Sequence, residues 1–147
     1  MPLRLNLGSG KSHLEGYVGV DKYDDEADVK ADMLDLPYGP DTVDEIFCAH
    51  ALEHLPFRET GKAFAEWLRV LRPGGKLTIV VPNLEWIASI LSHDGDRRYA
   101  LQITFGNQEH EGEFHKGGWK PLWLYGDLQQ AGFEVVRLVT LFTPEYS

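Results

Sequence analysis

Two glycines and an acid stand at a spacing that suits a nucleotide-like ligand. Gly8-Ser9-Gly10 closes an alternating run, Leu3-Arg4-Leu5-Asn6-Leu7, and Asp21 closes a second β-type run, Tyr17-Val18-Gly19-Val20. Glycines let the backbone turn sharply and let a ligand approach bare N–H groups. A carboxylate at the tip of the next strand accepts hydrogen bonds from ribose hydroxyls. The pattern departs from the dinucleotide fingerprint G-x-G-x-x-G, whose third glycine would fall where His13 stands. The acid also comes eleven residues after Gly10 rather than roughly 20 further on. A nicotinamide oxidoreductase is therefore disfavoured, and on spacing alone a plain glycine turn is the alternative.

The histidines carry the second chemistry, because imidazole titrates near neutrality and suits a general base. The candidates are His13, His50, His110 and His115. His115 comes first, since it lies in a long polar stretch, residues 106–119, ahead of the last helix, where a ligand would enter. His50 follows a strand and would meet a ligand through its backbone. His54 reads as structural, packed against the glycine turn. His50-Ala51-Leu52-Glu53-His54 also spells H-x-x-E-H, a zinc hydrolase pattern. Pro56 cuts that helix short, which makes a metallohydrolase a remote alternative, and no metal-ligating residue is expected. Phe114, Trp119, Trp123 and Tyr125 are candidate walls for a ligand pocket. Asp24-Asp25-Glu26 reads as a solvated turn.

Elements that alternate in type must position these groups. Beyond the two strands already named, a short strand falls near Asp28–Ala31, and Val43–Ala49 is another. Arg58–Leu71 reads as a helix with Phe64, Trp67, Leu68 and Leu71 on one face, stopped by Pro73-Gly74-Gly75. Lys76–Val81 reads as a buried strand ended by Pro82. Asn83 caps a helix with Leu84, Ile87, Ala88 and Leu91 inward. Arg98–Phe105 is a further short helix. Pro121 opens a last helix with Leu124, Tyr125 and Leu128 on one face, and Gly132 closes it. Phe133–Leu141 reads as a final strand. Such alternation implies a three-layer α/β fold with a mostly parallel sheet. Ligands of such folds bind beyond the carboxyl ends of the strands. The turn, Asp21, Asp32, Ala49-His50 and Pro82-Asn83 all fall there.

At 147 residues the chain is read as a single domain, 1–147, long enough to bury a core. Its net charge of −9 argues against nucleic acid or an anionic membrane as the main partner. One cysteine, Cys48, excludes an internal disulfide and a thiolate metal cluster. The apolar runs are too short for a membrane span, so the expected compartment is the cytoplasm.

With these stations placed, the chain resembles a class I S-adenosylmethionine-dependent methyltransferase of the small bacterial and phage type. Leu5-Asn6-Leu7-Gly8-Ser9-Gly10 is similar to the first glycine motif, and Tyr17–Asp21 to the second strand with its ribose-binding acid. Asp32-Met33-Leu34-Asp35-Leu36-Pro37 is similar to the adenine-holding segment. Val43–Leu55 resembles the fourth strand and the turn after it. Leu68–Leu77, with Val81-Pro82-Asn83, is the most specific stretch. Phe114-His115-Lys116-Gly117-Gly118-Trp119 and Ala131-Gly132-Phe133-Glu134 resemble the late loop and sixth strand. The chain departs from the family at the third glycine, where Ser12 stands, and at the helix between the first two strands, which is missing. Six strands at most are expected, without the usual seventh.

The resemblance implies a Rossmann-like methyltransferase fold of about six strands, with S-adenosylmethionine as cofactor. Gly8, Ser9, Gly10 and His50 would lie at its methionine part. Asp21 would serve the ribose, Asp32 and Met33 the adenine, Lys22 would also bind the cofactor, and His115 would serve catalysis. The implied acceptor is a small molecule or the sugar of a glycan. An exposed sheet edge makes a homodimer possible. A non-catalytic S-adenosylmethionine-binding module is the alternative.

Overall fold

The computed structural model describes residues 1–140. Five strands form one parallel sheet: β1 (Arg4–Leu7), β2 (Val18–Asp21), β3 (Val29–Lys30), β4 (Val43–Ala49) and β5 (Leu71–Val80), in the order β3-β2-β1-β4-β5. The helices are α1 (Thr60–Val70), α2 (Leu84–Leu91), α3 (Arg97–Phe105) and α4 (Pro121–Ala131).

Register explains which side chains face the core. Leu5 pairs with Val18 and Ile46, and Leu7 with Val20 and Cys48, so these residues share one sheet face. That face packs with Ala63, Phe64, Trp67 and Val70 of α1 in one buried cluster, which Leu124 of α4 joins. The inward stripe of α1 is thus centred differently from the expected one: Ala63 and Val70 are buried, while Leu68 lies half exposed. Gly132 sits against Leu68, where an added Cβ would come 3.2 Å from Leu68 Cδ2, so α4 shields this side of α1. In α2 the same adjustment occurs. Ile87 is buried and Leu91 is exposed, so the inward face is narrower than the spacing predicts.

The opposite sheet face is polar. Arg4 is paired with Glu45 at 3.6 Å, and Lys76 lies 3.9 Å from the same carboxylate. The loop from β1 to β2 takes the place of a crossover helix, as expected. Its Tyr17 ring meets Phe47 at 6.4 Å, and the carbonyl of Ser12 accepts from Asn6 Nδ2.

Two strand expectations are corrected. Residues 133–140 form no ladder, and Leu141 lies outside the described residues. The chain leaving α4 is drawn onto the helix layer instead: Phe133 N donates to Leu128 O at 3.0 Å, and the Phe133 ring packs edge-on to Phe64 at 6.4 Å. Among the described residues β5 is consequently an edge strand, and its second half is half-buried rather than buried. It also starts earlier, at Leu71, with an irregularity between the Val43↔Leu71 and Glu45↔Lys76 pairs that absorbs Pro73-Gly74-Gly75.

Candidate active site

A cavity of about 980 Å³ opens over the carboxyl ends of β1, β2 and β4. Gly8, Gly10, Asp21, Asp32 and Met33 line one side of it, and Tyr99, Gln102 and Ile103 of α3 line another.

The glycine turn is required by space at one position and by conformation at two. Gly8 has φ +65°, and a Cβ there would come 2.2 Å from Ala51 Cβ. Gly10 has φ +51° and faces open space, with nothing within 4 Å of a built Cβ. Gly10 therefore leaves room at the cavity wall rather than room for protein packing. Contrary to expectation, the turn's amides are not bare. Gly8 N and Ser9 N donate to Val20 O at 2.8 and 3.3 Å, and Gly10 N donates to Asp21 Oδ2 at 2.8 Å. Without a helix between β1 and β2, the turn folds directly back onto β2 and spends its donors there.

Asp21 is held as an acceptor. Its Oδ1 takes hydrogen bonds from Tyr23 N and Asp24 N at 2.8 and 3.0 Å, while Oδ2 takes that of Gly10. Oδ1 is thereby filled, and Oδ2 keeps one acceptor site. The next segment is fixed from α1. Trp67 Nε1 donates to Met33 O at 3.0 Å, and Glu66 Oε1 accepts from Leu36 N at 2.8 Å. Asp32 caps its own turn through Leu34 N and is paired with Lys22 at 3.1 Å. Gly8, Gly10, Asp21, Lys22, Asp32, Met33 and His50 all line the cavity, while Ser9 is buried beneath it.

At the end of β4, His50 adopts φ +53°, a left-handed conformation rare for a residue with a side chain. Its N–H donates to Val80 O at 2.8 Å and its carbonyl accepts from His54 Nε2 at 3.1 Å. This turn delivers Ala51 against Gly8 and Glu53 into the interior. His54 therefore does not pack on the glycine turn; Ala51 does, and His54 packs edge-on to His115 with ring centroids 5.0 Å apart.

Glu53 is the functional residue that sequence reasoning passed over except as a letter of the zinc pattern. It is 2% exposed, and its Oε2 has no hydrogen-bond partner. Burial pushes its carboxyl up to about 7. Its backbone carbonyl accepts from Lys116 N and Gly117 N at 2.7 and 3.0 Å, which lays the 106–119 loop across it. His115 enters from that loop with Nε2 at 4.0 Å from Glu53 Oε1, and its Nδ1–H donates to Ile103 O at 3.1 Å. Burial holds both His115 and His54 below the ordinary imidazole value, so both favour the neutral ring. Gly106 permits the loop's return: at φ +87° it lies so close to Glu113 that a Cβ would meet the carbonyl oxygen at 1.8 Å. A carboxylate in an apolar run, Ala51-Leu52-Glu53-His54-Leu55, is the signal that marked this residue.

The aromatic wall is corrected. Trp119 is buried and donates from Nε1 to Asp127 Oδ2 at 3.0 Å, Trp123 is exposed beneath Lys120, and neither they nor Phe114 or Tyr125 line the cavity. Tyr23, packed against His110 at 5.7 Å, and Tyr99 do so instead. His13 is exposed and outside the cavity, while His50, His110 and His115 line it.

A parallel sheet with a glycine turn after its central strand and an acid at the tip of the next is a Rossmann-like arrangement. The comparisons narrow that class. Residues 16–79 match the family model described as a methyltransferase domain. Over 49 residues the chain is 43% identical to the methyltransferase GfsG of Streptomyces halstedii, which covers 33% of this chain and 17% of GfsG. A S-adenosylmethionine-dependent methyltransferase from Thermotoga maritima superposes with a TM-score of 0.66 at 16% identity, over 92% of this chain and 65% of its own. One from Archaeoglobus fulgidus gives 0.63 at 17% identity, over 90% and 61%. At such identities the two structures share the fold, and this chain spans less than two thirds of each relative's length. The family match over residues 16–79 and the shared sheet order support a class I S-adenosylmethionine-dependent methyltransferase.

Proposed function

We propose that this domain transfers a methyl group from S-adenosylmethionine to a small-molecule or sugar-type acceptor. One observation carries the reading: the Gly8–Gly10 turn, Asp21, Asp32-Met33 and His115 line a single cavity, with His115 on the loop side. The open space beside Gly10 and the preset Asp21 carboxylate fit the cofactor. In this reading the turn and His50 hold its methionine part, Asp21 and Lys22 the ribose end, and Asp32 and Met33 the adenine. When bound, S-adenosylmethionine supplies a methyl group activated by a sulfonium.

The protein's own contribution is positioning and the exclusion of water. The loop carrying His115 is tied to Glu53, and α3 closes the cavity beside it. His115 is the catalytic residue of this proposal, the side chain that meets the acceptor's nucleophile. Asp24, Asp25, Glu26, Glu111 and Glu113 at the cavity disfavour anionic acceptors and suit neutral hydroxyl compounds. The β5 edge is where a second copy of the chain would pair. Among the described residues no helix is long and apolar enough to cross a membrane.

The test is transfer of an isotopically labelled methyl group from the cofactor to a panel of neutral hydroxyl compounds and free sugars. Labelled product that disappears with Asp21→Ala supports the reading. Tight cofactor binding with no transfer to any acceptor class would favour the binding module instead. That second reading has one observation behind it, the internal use of the turn's amides.

A further inference from the structure

Two imidazoles and one buried carboxylate converge on the loop side of the cavity. Glu53 Oε1 lies 3.8 Å from His54 Nε2 and 4.0 Å from His115 Nε2. Together the three residues offer ligand atoms that all lie within 4.8 Å of one another. The His115 Nδ1–H is spent on Ile103 O, so its Nε2 lone pair is the one that faces Glu53. Glu53 Oε2 is buried without a partner. A buried acceptor cluster left this way is costly unless something positive completes it.

We propose that Glu53, His54 and His115 bind one divalent ion of the zinc type. The donor set is two imidazoles and a carboxylate, which suits zinc and excludes magnesium and calcium as preferred ions. Ligand bonds of about 2.0–2.2 Å on a tetrahedral ion place ligand atoms roughly 3.3 Å apart. To reach that spacing the carboxylate must close on the two imidazoles by about 0.5 and 0.7 Å, and the imidazoles on each other by up to about 1.5 Å. The backbone carbonyl that holds His115 Nδ1 is the kind of outer partner that orients a metal-bound histidine. To bind, His54 takes the tautomer protonated at Nδ1, so that Nε2 releases His50 O and offers its lone pair to the ion. The ligands are thus not the two histidines of the linear H-x-x-E-H pattern. His50 meets this turn through its carbonyl and is not among the clustered ligands, and His115 comes from more than sixty residues away.

Three protein ligands leave a position open toward the cavity. There the ion would take the acceptor's oxygen and ease the loss of its proton to water, and His115 would then act on the acceptor through the ion rather than directly. That role rests on the methyltransferase reading; binding of the ion does not.

The test uses the tag-free chain, stripped with a chelator and titrated with Zn²⁺ alone, with S-adenosylhomocysteine binding measured on the same sample. One saturable equivalent of zinc is expected, and Co²⁺ should replace it with the strong visible absorption of a four-coordinate site. Glu53→Gln and His115→Ala should each weaken zinc binding at least tenfold, with S-adenosylhomocysteine still bound as proof of folding. His50→Ala should leave zinc affinity unchanged. Absence of saturable zinc binding in a chain that binds S-adenosylhomocysteine overturns the site and leaves the methyltransferase reading standing. Loss of zinc in His50→Ala but not in His115→Ala overturns it too. Zinc binding without S-adenosylhomocysteine binding supports the site and contradicts the cofactor reading.

Discussion

The amide of Gly10 donates to Oδ2 of Asp21 at 2.8 Å, so the turn after the first strand and the acid after the second are one unit. Asp21 both presents a carboxylate to the cavity and fixes the turn that borders it. Asp21→Ala should weaken S-adenosylhomocysteine binding by about 1.5–3 kcal/mol, the range for a hydrogen bond to a charged group. Asp21→Asn keeps one oxygen acceptor and should lose less. Equal affinity of Asp21→Ala and wild type by calorimetry would show that the acid does not face the ligand.

The two turn glycines should separate in their effects. Gly8→Ala drives a methyl group into Ala51 at 2.2 Å and also strains a backbone at φ +65°. It should lower stability by about 2 kcal/mol or more, read as a drop in melting temperature. Gly10→Ala meets open space and should cost only the backbone term, about 1–2 kcal/mol. Its larger effect should appear in ligand affinity.

The segment 32–36 is held from beneath by α1. Trp67→Phe removes the hydrogen bond to Met33 O while keeping most of the buried ring. It should cost about 1–3 kcal/mol in stability, since the Met33 carbonyl loses its donor. Cofactor affinity should fall with it, because Met33 lines the cavity.

Glu66 sets an acid-side dependence. The hydrogen bond from Arg69 holds its carboxyl below the usual value of 4.5, and Leu36 N donates to it as well. A carboxylate whose folded value is depressed contributes stability above the unfolded value and loses it as pH falls through the folded one. Wild type should therefore exceed Glu66→Gln in melting temperature at neutral pH. The gap should narrow as pH drops below 4.5. A gap that stays constant down to acid unfolding would mean that the charge on Glu66 contributes nothing.

The loop side should be separable from the cofactor side. His115→Ala touches neither the glycine turn nor Asp21, so S-adenosylhomocysteine should bind it within about threefold of wild type, under about 1 kcal/mol. Methyl transfer should fall at least a hundredfold, about 2.7 kcal/mol in transition-state stabilisation. Parallel losses in both measurements would place His115 at the cofactor instead.

Sequence reasoning reached β1, β2, β4 and all four helices because local signals agree there. Leu5 and Leu7 alternate on one face, Asn83 and Asp96 cap their helices through side-chain oxygens, and Gly132 ends α4 at φ +107°. It failed where the outcome depends on a distant neighbour. Val135 to Val139 carry a strand composition, yet Phe133 is captured by Phe64 across the helix layer. Leu68 fits a helical stripe but faces away from the core cluster that buries Ala63 and Val70. At the site, the glycine turn and Asp21 lie close in sequence and were readable from spacing. The meeting of Glu53 with His115 was not, because it depends on how a loop returns past Gly106. The aromatic wall failed for the same reason: composition names Trp119 and Trp123, but the fold turns one into the core and the other into solvent.

The central claim is that this cavity binds S-adenosylmethionine through the turn and Asp21. Calorimetric titration of the purified chain with S-adenosylhomocysteine, repeated on Asp21→Ala and His115→Ala, tests it most directly. The account predicts one saturable site, competed by S-adenosylmethionine, weakened in the first variant and kept in the second. No saturable binding by the folded wild-type chain, or binding indifferent to Asp21→Ala, would contradict it.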